Sequence, residues 1–455
     1  MPPTPSALSA VFKAYDVRGT VPDQIDEDLA RAVGSAFVQV TGAAAGGIVV
    51  GHDMRPSSPG MARAFAEGAA AAGADVTMIG LASTDQLYFA SGRLGVPGAM
   101  FTASHNPAQY NGIKMCRAHA VPLALDTGLG AVRDLVAAGE PPAAETPGTI
   151  REHDLLEDYA SHLRSLVPFT GRRLRVVVDA GNGMAGHTAP AVLGPLDLDV
   201  VPMYYELNGT FQNHEANPIE PANVADLQAE VRGTGADIGL AFDGDADRCF
   251  IVDERGEIVS PSVLTALIAS RELAREPGST VIHNLITSRA VPQIVTELGG
   301  VPVRTRVGHS FIKATMAETD AVFGGEHSGH FYFRDFWRAD SGMLAALHVL
   351  AALGETERSL SDLLAEFSRF VATGEINSTV PDQDAVLAEI EREYGARDDV
   401  TLDHLDGLTV THEDWWFNVR ASNTEPLLRL NAEAGDDTTL VRLRDDVLAT
   451  IRRDS

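Results

Sequence analysis

Cysteine is nearly absent: Cys116 and Cys249 are the only two in 455 residues. That excludes a disulfide framework or a cysteine metal site and points to a reducing compartment, the cytoplasm. Basic residues are also scarce. Lys and Arg number 35 against 63 Asp and Glu, for a formal net charge of −28 at pH 7. Such a surface repels a phosphate backbone, which argues against a nucleic-acid partner. It leaves room for a phosphorylated small molecule, because a few arginines in a cleft reverse the local field. No hydrophobic run is long enough to span a bilayer. The most apolar stretch, Met343 to Leu353, includes His348 and reads as a buried helix, so no membrane association is expected. Met1 to Ala10 lacks the basic and apolar regions of a signal peptide. Nothing signals an obligate protein partner.

What is present is a soluble globular composition, 45% apolar and 22% charged, in a chain long enough for three or four domains. Buried parallel strands are predicted at Gly47–Gly51, Asp75–Ile79 and the run into Phe101. Helices are predicted at about Asp26–Thr41, Pro59–Ala72 and Thr84–Arg93. The pattern recurs. Arg175–Asp179 is followed by a glycine-rich stretch, and Asp237–Phe242 then runs into Asp243-Gly244-Asp245-Ala246-Asp247-Arg248. Ser279–His283 opens a third round, and Asp320–Phe323 runs into Gly324-Gly325-Glu326-His327-Ser328-Gly329-His330. Three related α/β units follow, each with a polar loop at a strand's C-terminal end, where open α/β sheets bind ligands. The linker Gly139–Gly148 and turns near Asp253–Gly256 and Thr373–Gly374 divide the chain into 1–150, 151–255, 256–372 and 373–455. The last part, with short strands at Trp415–Val419 and Leu427–Asn431 and a helix from about Thr438 to Arg452, reads as a small α+β domain.

Phe101-Thr102-Ala103-Ser104-His105-Asn106-Pro107 is the stretch around which the other loops make sense. Pro107 halts the strand, so Ser104 lies on a turn that can present its hydroxyl to a cleft. His105 beside it invites a Ser-His hydrolase reading, but no acid is evident to orient the histidine. Asp243, Asp245 and Asp247 repel one another unless a cation sits among them, and carboxylate-only ligation suits Mg²⁺. An EF-hand is rejected: the position that must turn sharply holds Arg248, and a strand precedes the loop. Glu326 and Ser328, on flexible backbone, suit a polyhydroxylated ligand. Arg420-Ala421-Ser422-Asn423-Thr424, with Arg429 after the turn, makes a phosphate cradle as readily as a plain hairpin. Lys114 can return to the serine as a proton carrier if neighbouring cations lower its pKa. Tyr15 and Arg18, beside Gly19, and His309, after Gly308, can reach a ligand; ordinary surface roles are the alternative.

Together and in this order, Thr102–Pro107, Asp243–Arg248, Gly325–His330 and Arg420–Thr424 resemble the α-D-phosphohexomutase superfamily, most closely its bacterial phosphomannomutase/phosphoglucomutase branch. The resemblance spans essentially the whole chain, one motif per domain. It implies a heart-shaped four-domain fold of three α/β domains and a small C-terminal α+β domain. It implies that Ser104 is a phosphoserine whose oxygen joins Asp243, Asp245 and Asp247 around one Mg²⁺. Glu326 and Ser328 then read sugar hydroxyls, and Arg420, Ser422, Asn423 and Thr424 clamp the distal phosphate with Arg429 nearby. Tyr15, Arg18, Lys114, His105, Arg248, His309 and His330 match further active-site positions. The implied reaction interconverts hexose 6-phosphate and hexose 1-phosphate through a hexose 1,6-bisphosphate, which also activates the serine. Thr102 favours the mannose/glucose branch over phosphoglucosamine mutase. A metal-dependent phosphatase and a sugar-phosphate-binding protein are the remaining alternatives.

Overall fold

The computed structural model describes residues 4–139, 143–421 and 427–453. Four sheets follow one another along the chain. The first three share a plan. In the first, Ile48–His52 lies parallel to Val76–Leu81 and to Gly98–Phe101, and Tyr110–Arg117 returns antiparallel beside Gly98–Phe101. In the second, Leu174–Asp179 lies parallel to Leu198–Met203 and Ile238–Phe242, and Cys249–Asp253 returns antiparallel. In the third, Thr280–Asn284 lies parallel to Val301–Thr305 and Phe323–Gly325, and Phe331–Phe333 returns antiparallel. Each distinctive loop therefore occupies one topological position, between a central parallel strand and its antiparallel neighbour. The inner strands are buried at nearly every position because helices cover both faces.

The fourth sheet is wholly antiparallel, in the order Val371–Thr379, Leu427–Ala434, Trp415–Ala421, Leu408–Thr411, Thr401–Asp403. Helices Gln383–Gly395 and Asp437–Ile451 pack on it. The turn at Asp253–Gly256 lies inside a hairpin whose second strand, Ile258–Val259, belongs to the second sheet. Strand Val371–Thr379 runs across Thr373–Gly374.

Local sequence explains the main elements. Asp26 caps helix Glu27–Thr41 by accepting from the Leu29 amide at 2.8 Å, and Gly42 ends it in the left-handed conformation. Helix Ser58–Ala71 crosses it where both carry glycine: a Cβ at Gly68 would lie 2.0 Å from the Arg31 carbonyl oxygen, and one at Gly34 2.2 Å from that of Phe65. Met343–Leu353 lies within helix Gly342–Gly354, every residue of which is buried. Among the described residues, no helix is long and apolar enough to cross a membrane. One apolar core runs through the second and third sheets into the first, whereas the fourth sheet has its own core. Leu285, Ile286 and Trp416 join the third sheet's unit to the fourth's.

Two outcomes are expected. Gly68→Val should cost about 2 kcal/mol by overpacking, read from the urea midpoint; an unchanged midpoint would mean the helices can separate freely. His348 stacks on Phe333 with centroids 5.2 Å apart, and burial, reinforced by Arg271 and Arg275, pushes its pKa down to about 3. The unfolded chain therefore binds a proton that the folded chain refuses between about pH 6.5 and 3. Stability falls as pH drops through that window, by up to about 1.4 kcal/mol per unit from this group, and His348→Leu should flatten the dependence.

Candidate functional site

Ser104 follows the strand Gly98–Phe101 and sits at φ 49, a left-handed value that a serine adopts only under constraint. The constraint is visible. Its amide donates to the Thr102 hydroxyl at 2.9 Å. Its carbonyl accepts from Arg55 at 2.9 Å. Arg55 also donates to the carbonyls of Asn106, Pro107 and Tyr110 at 2.7, 2.9 and 2.9 Å. The buried Asp53 carboxylate lies 3.2 Å from its Nε, and the Phe211 ring covers the guanidinium at 5.0 Å. One arginine thus organises the whole loop.

The aspartate loop meets this serine from the second sheet. Ser104 Oγ donates to Asp243 Oδ2 at 2.7 Å. The backbones touch closely enough that a Cβ at Gly244 would lie 2.4 Å from the Ser104 carbonyl oxygen. Asp243, Asp245 and Asp247 are buried, with one oxygen from each lying within 4.8 Å of the others. Arg248 Nε donates to Asp243 at 2.9 Å, and Lys114 Nζ donates to Asp245 at 2.7 Å and Asp247 at 2.6 Å. The Thr84 hydroxyl donates to Asp245 at 2.6 Å. Three carboxylates against two cations leave negative charge. Among the described residues, Asp245 Oδ1 and Asp247 Oδ1 are buried without a hydrogen-bond partner. Hard oxygen donors, surplus negative charge and orphaned carboxylate oxygens fit a divalent cation.

The electrostatics correct one expectation. Lys114 has no depressed pKa. Burial alone would lower it, but Asp245 and Asp247 override burial and hold it well above the ordinary lysine range. It is a cation paired with two buried carboxylates. Burial would also raise the Asp245 carboxyl, yet Lys114 and the Thr84 hydroxyl leave it below the usual range. His105 Nδ1 lies 3.2 Å from Ser104 Oγ, and burial with Arg248 and Arg18 nearby pushes its pKa down to about 2. The ring is therefore neutral and a weak base.

Around this centre, Arg18 donates to Asn106 Oδ1 at 2.5 Å and pairs with Asp16. The Tyr15 hydroxyl reaches the glycine before His309: a Cβ at Gly308 would lie 3.0 Å from it. From the third sheet, Glu326 accepts from the Tyr332 hydroxyl at 2.6 Å, the Asn284 amide at 3.2 Å and the Gly308 amide at 3.3 Å. Ser328 Oγ and His330 Nδ1 lie 2.9 Å apart. His330 also bridges loops, with Nδ1 3.9 Å from Glu326 and Nε2 3.8 Å from Asp247. In the fourth sheet, Arg420 and Arg429 face each other on adjacent strands, and Glu375 lies 2.8 and 3.6 Å from them. Ser422, Asn423 and Thr424 fall outside the described residues. His309 opens helix His309–Thr319, with its side chain outside the described part of the structure.

The serine, the acids and Lys114 thus form one cluster, with the Glu326 loop tied to it through His330. Residues 9–140, 157–256 and 260–370 match phosphoglucomutase/phosphomannomutase alpha/beta/alpha domains I, II and III, and 375–450 matches the C-terminal domain. The chain belongs to the phosphoglucomutase/phosphomannomutase family. It is 41% identical over 450 residues to a Xanthomonas campestris protein named for phosphohexose mutases, covering 97% of this chain and 99% of that one. It is 38% identical to the Escherichia coli K12 phosphomannomutase, covering 97% and 98%. A solved phosphoglucomutase/phosphomannomutase family protein from Burkholderia thailandensis superposes with a TM-score of 0.88 at 32% identity, covering 98% of both chains. Open-form parafusin from Paramecium shares the fold at a TM-score of 0.84 and 17% identity, covering 98% and 96%.

Sequence reasoning did not single out Arg55 and Asp53. Their signal was an acid and an arginine two residues apart immediately after a buried strand. Arg55→Met is expected to cost about 3 kcal/mol from the lost carbonyl bonds. It should also speed hydrogen exchange of peptides spanning residues 102–110 by more than about tenfold. Unaltered protection there would refute the clasp.

Proposed function

We propose that the chain is a phosphomannomutase/phosphoglucomutase, an enzyme that interconverts hexose 6-phosphate and hexose 1-phosphate of mannose or glucose. The observation that carries the reading is the buried bond from Ser104 Oγ to Asp243, inside a triad of aspartates and facing the Glu326 loop. The identity to named mutases along the whole chain supports it.

In this reading Ser104 carries a phosphoryl group. A sugar hydroxyl attacks the phosphorus, the P–Oγ bond breaks, and a hexose 1,6-bisphosphate forms as the hydroxyl proton leaves to a base in the cleft. The bisphosphate turns end for end, Ser104 Oγ attacks the other phosphorus, the sugar O–P bond breaks as the proton returns to the sugar oxygen, and the isomer departs. The same bisphosphate loads an unphosphorylated serine. Asp243, Asp245 and Asp247, with the phosphorylated Ser104, would hold a Mg²⁺, which would supply charge neutralisation for the transfer. Arg248 and Lys114 add fixed positive charge beside it, which suits a reaction governed by positioning and electrostatics. His105 offers a neutral ring to the serine. Glu326 and Ser328 read hydroxyls in both sugar orientations, with His330 between them and the aspartates. Arg420 and Arg429, with Ser422, Asn423 and Thr424, hold the phosphate that is not reacting; Tyr15, Arg18 and His309 line the approach. Buried free cysteines suit a cytoplasmic enzyme.

Mannose 1-phosphate and glucose 1-phosphate, offered with Mg²⁺ and a trace of glucose 1,6-bisphosphate, should yield the 6-phosphates. Phosphate release without isomerisation would instead make the protein a phosphatase. Intact mass should show one added phosphoryl group on the purified chain or after treatment with the bisphosphate. Ser104→Ala should fold, refuse that group and lose at least about 1,000-fold in kcat; near-normal turnover in this variant would end the phosphoserine mechanism.

A further inference from the structure

His327 lies between the two residues assigned to sugar hydroxyls, and its own chemistry is fixed by its neighbours. The Asn284 amide nitrogen lies 3.2 Å from Glu326 Oε1. The Thr287 hydroxyl donates to Asn284 Oδ1 at 2.7 Å. A carboxylate accepts and a hydroxyl can donate, so the orientation of this amide is settled at both ends. The same amide nitrogen lies 3.1 Å from His327 Nδ1. An amide nitrogen has only hydrogens to offer, so Nδ1 presents its lone pair and the neutral ring carries its proton on Nε2.

Burial pushes the His327 pKa down to about 3, and Arg420, His330 and Arg429 add their repulsion. The ring is uncharged at neutral pH. The fourth sheet reaches this loop: the Gly308 amide lies 3.3 Å from Glu326, the residue before His327, the adjoining Val307 amide donates to Asp406 at 3.1 Å, and a Cβ at Gly407 would lie 2.6 Å from the Cβ of Arg420, which faces Arg429 across the strands.

We infer that His327 is a substrate-binding residue whose Nε2–H donates, as a neutral group of fixed tautomer, to the phosphate held by Arg420 and Arg429. The inference rests on the mutase reading and gives that reading a contact between the third and fourth sheets. Its logic is one of graded strength. A clamp made only of cations holds a phosphate tightly, yet the bisphosphate must let go to turn. A neutral donor adds direction at less cost to release than a third cation, because charge-assisted bonds are the stronger kind.

The test separates the donor from the ring and binding from turnover. His327→Phe keeps the ring and loses the N–H, His327→Met loses the N–H in a slimmer side chain, and His327→Gln keeps a donor. In a Ser104→Ala background, the Kd for glucose 1,6-bisphosphate is measured by calorimetry. In the active chain, KM and kcat are measured with mannose 1-phosphate and glucose 1-phosphate. His327→Phe and His327→Met should weaken Kd and raise KM about tenfold, with kcat changed by less than about threefold, while His327→Gln stays within about threefold of the parent. A Kd equal to the parent's in both donor-free variants overturns the inference, as does a His327→Gln variant as weak as His327→Phe. If the parent isomerises neither sugar phosphate, the mutase reading fails, and the Kd comparison still decides whether His327 binds phosphate.

Discussion

The compensation of buried negative charge governs this molecule. Asp243, Asp245 and Asp247 are almost completely removed from water at the meeting point of three sheets, and burying one uncompensated carboxylate costs several kcal/mol. Arg248 answers Asp243, and Lys114 answers the other two. Lys114 arrives on the antiparallel strand of the first sheet and the aspartates on a loop of the second. The docking of those units is therefore part of the electrostatic balance. Ser104 sits inside this arrangement, so its environment is a property of two domains and belongs to neither alone. The same constraint accounts for a protein of net charge −28 that serves anionic ligands. The cations are few, but they are concentrated where the anion is expected.

Much of the fold was legible in the sequence because its signals are local. Val/Ile runs ending in polar loops marked the central strands, and the helices expected at about Asp26–Thr41 and over the mostly apolar Met343–Leu353 formed where expected. The aspartate triad was legible for the same reason, three carboxylates within five residues. What could not be read was set by distant partners. Asp243 lies 139 residues from Ser104, and nothing in either loop announces the other. Arg55 contributes through four carbonyls, groups that every residue carries and no sequence distinguishes. The partners of Lys114 were hidden in the same way: its expected role depended on neighbouring cations, whereas its ammonium pairs with Asp245 and Asp247 from another sheet.

The third and fourth sheets are joined more lightly than the first three are to one another. A small apolar contact of Leu285, Ile286 and Trp416 is flanked by polar links: Arg289 to the Glu413 carbonyl at 2.8 Å, the Val307 amide to Asp406 at 3.1 Å, and Arg304 to Asp403 at 2.8 Å. An interface of this mixed kind permits relative movement more readily than a shared core does.

The repeated placement of the loops has a consequence for biosynthesis. The serine loop, the aspartate loop, the glutamate loop and the arginine strands leave the ribosome in that order, separated by roughly a hundred residues each. Domains generally fold as they emerge. A nascent chain can therefore complete its first sheet with Ser104 already strained in place and still possess no acids to surround it, and later own the acids before any group that grips a sugar. The loops of the candidate site are therefore completed one after another, and the arginine strands join them only when translation is nearly finished.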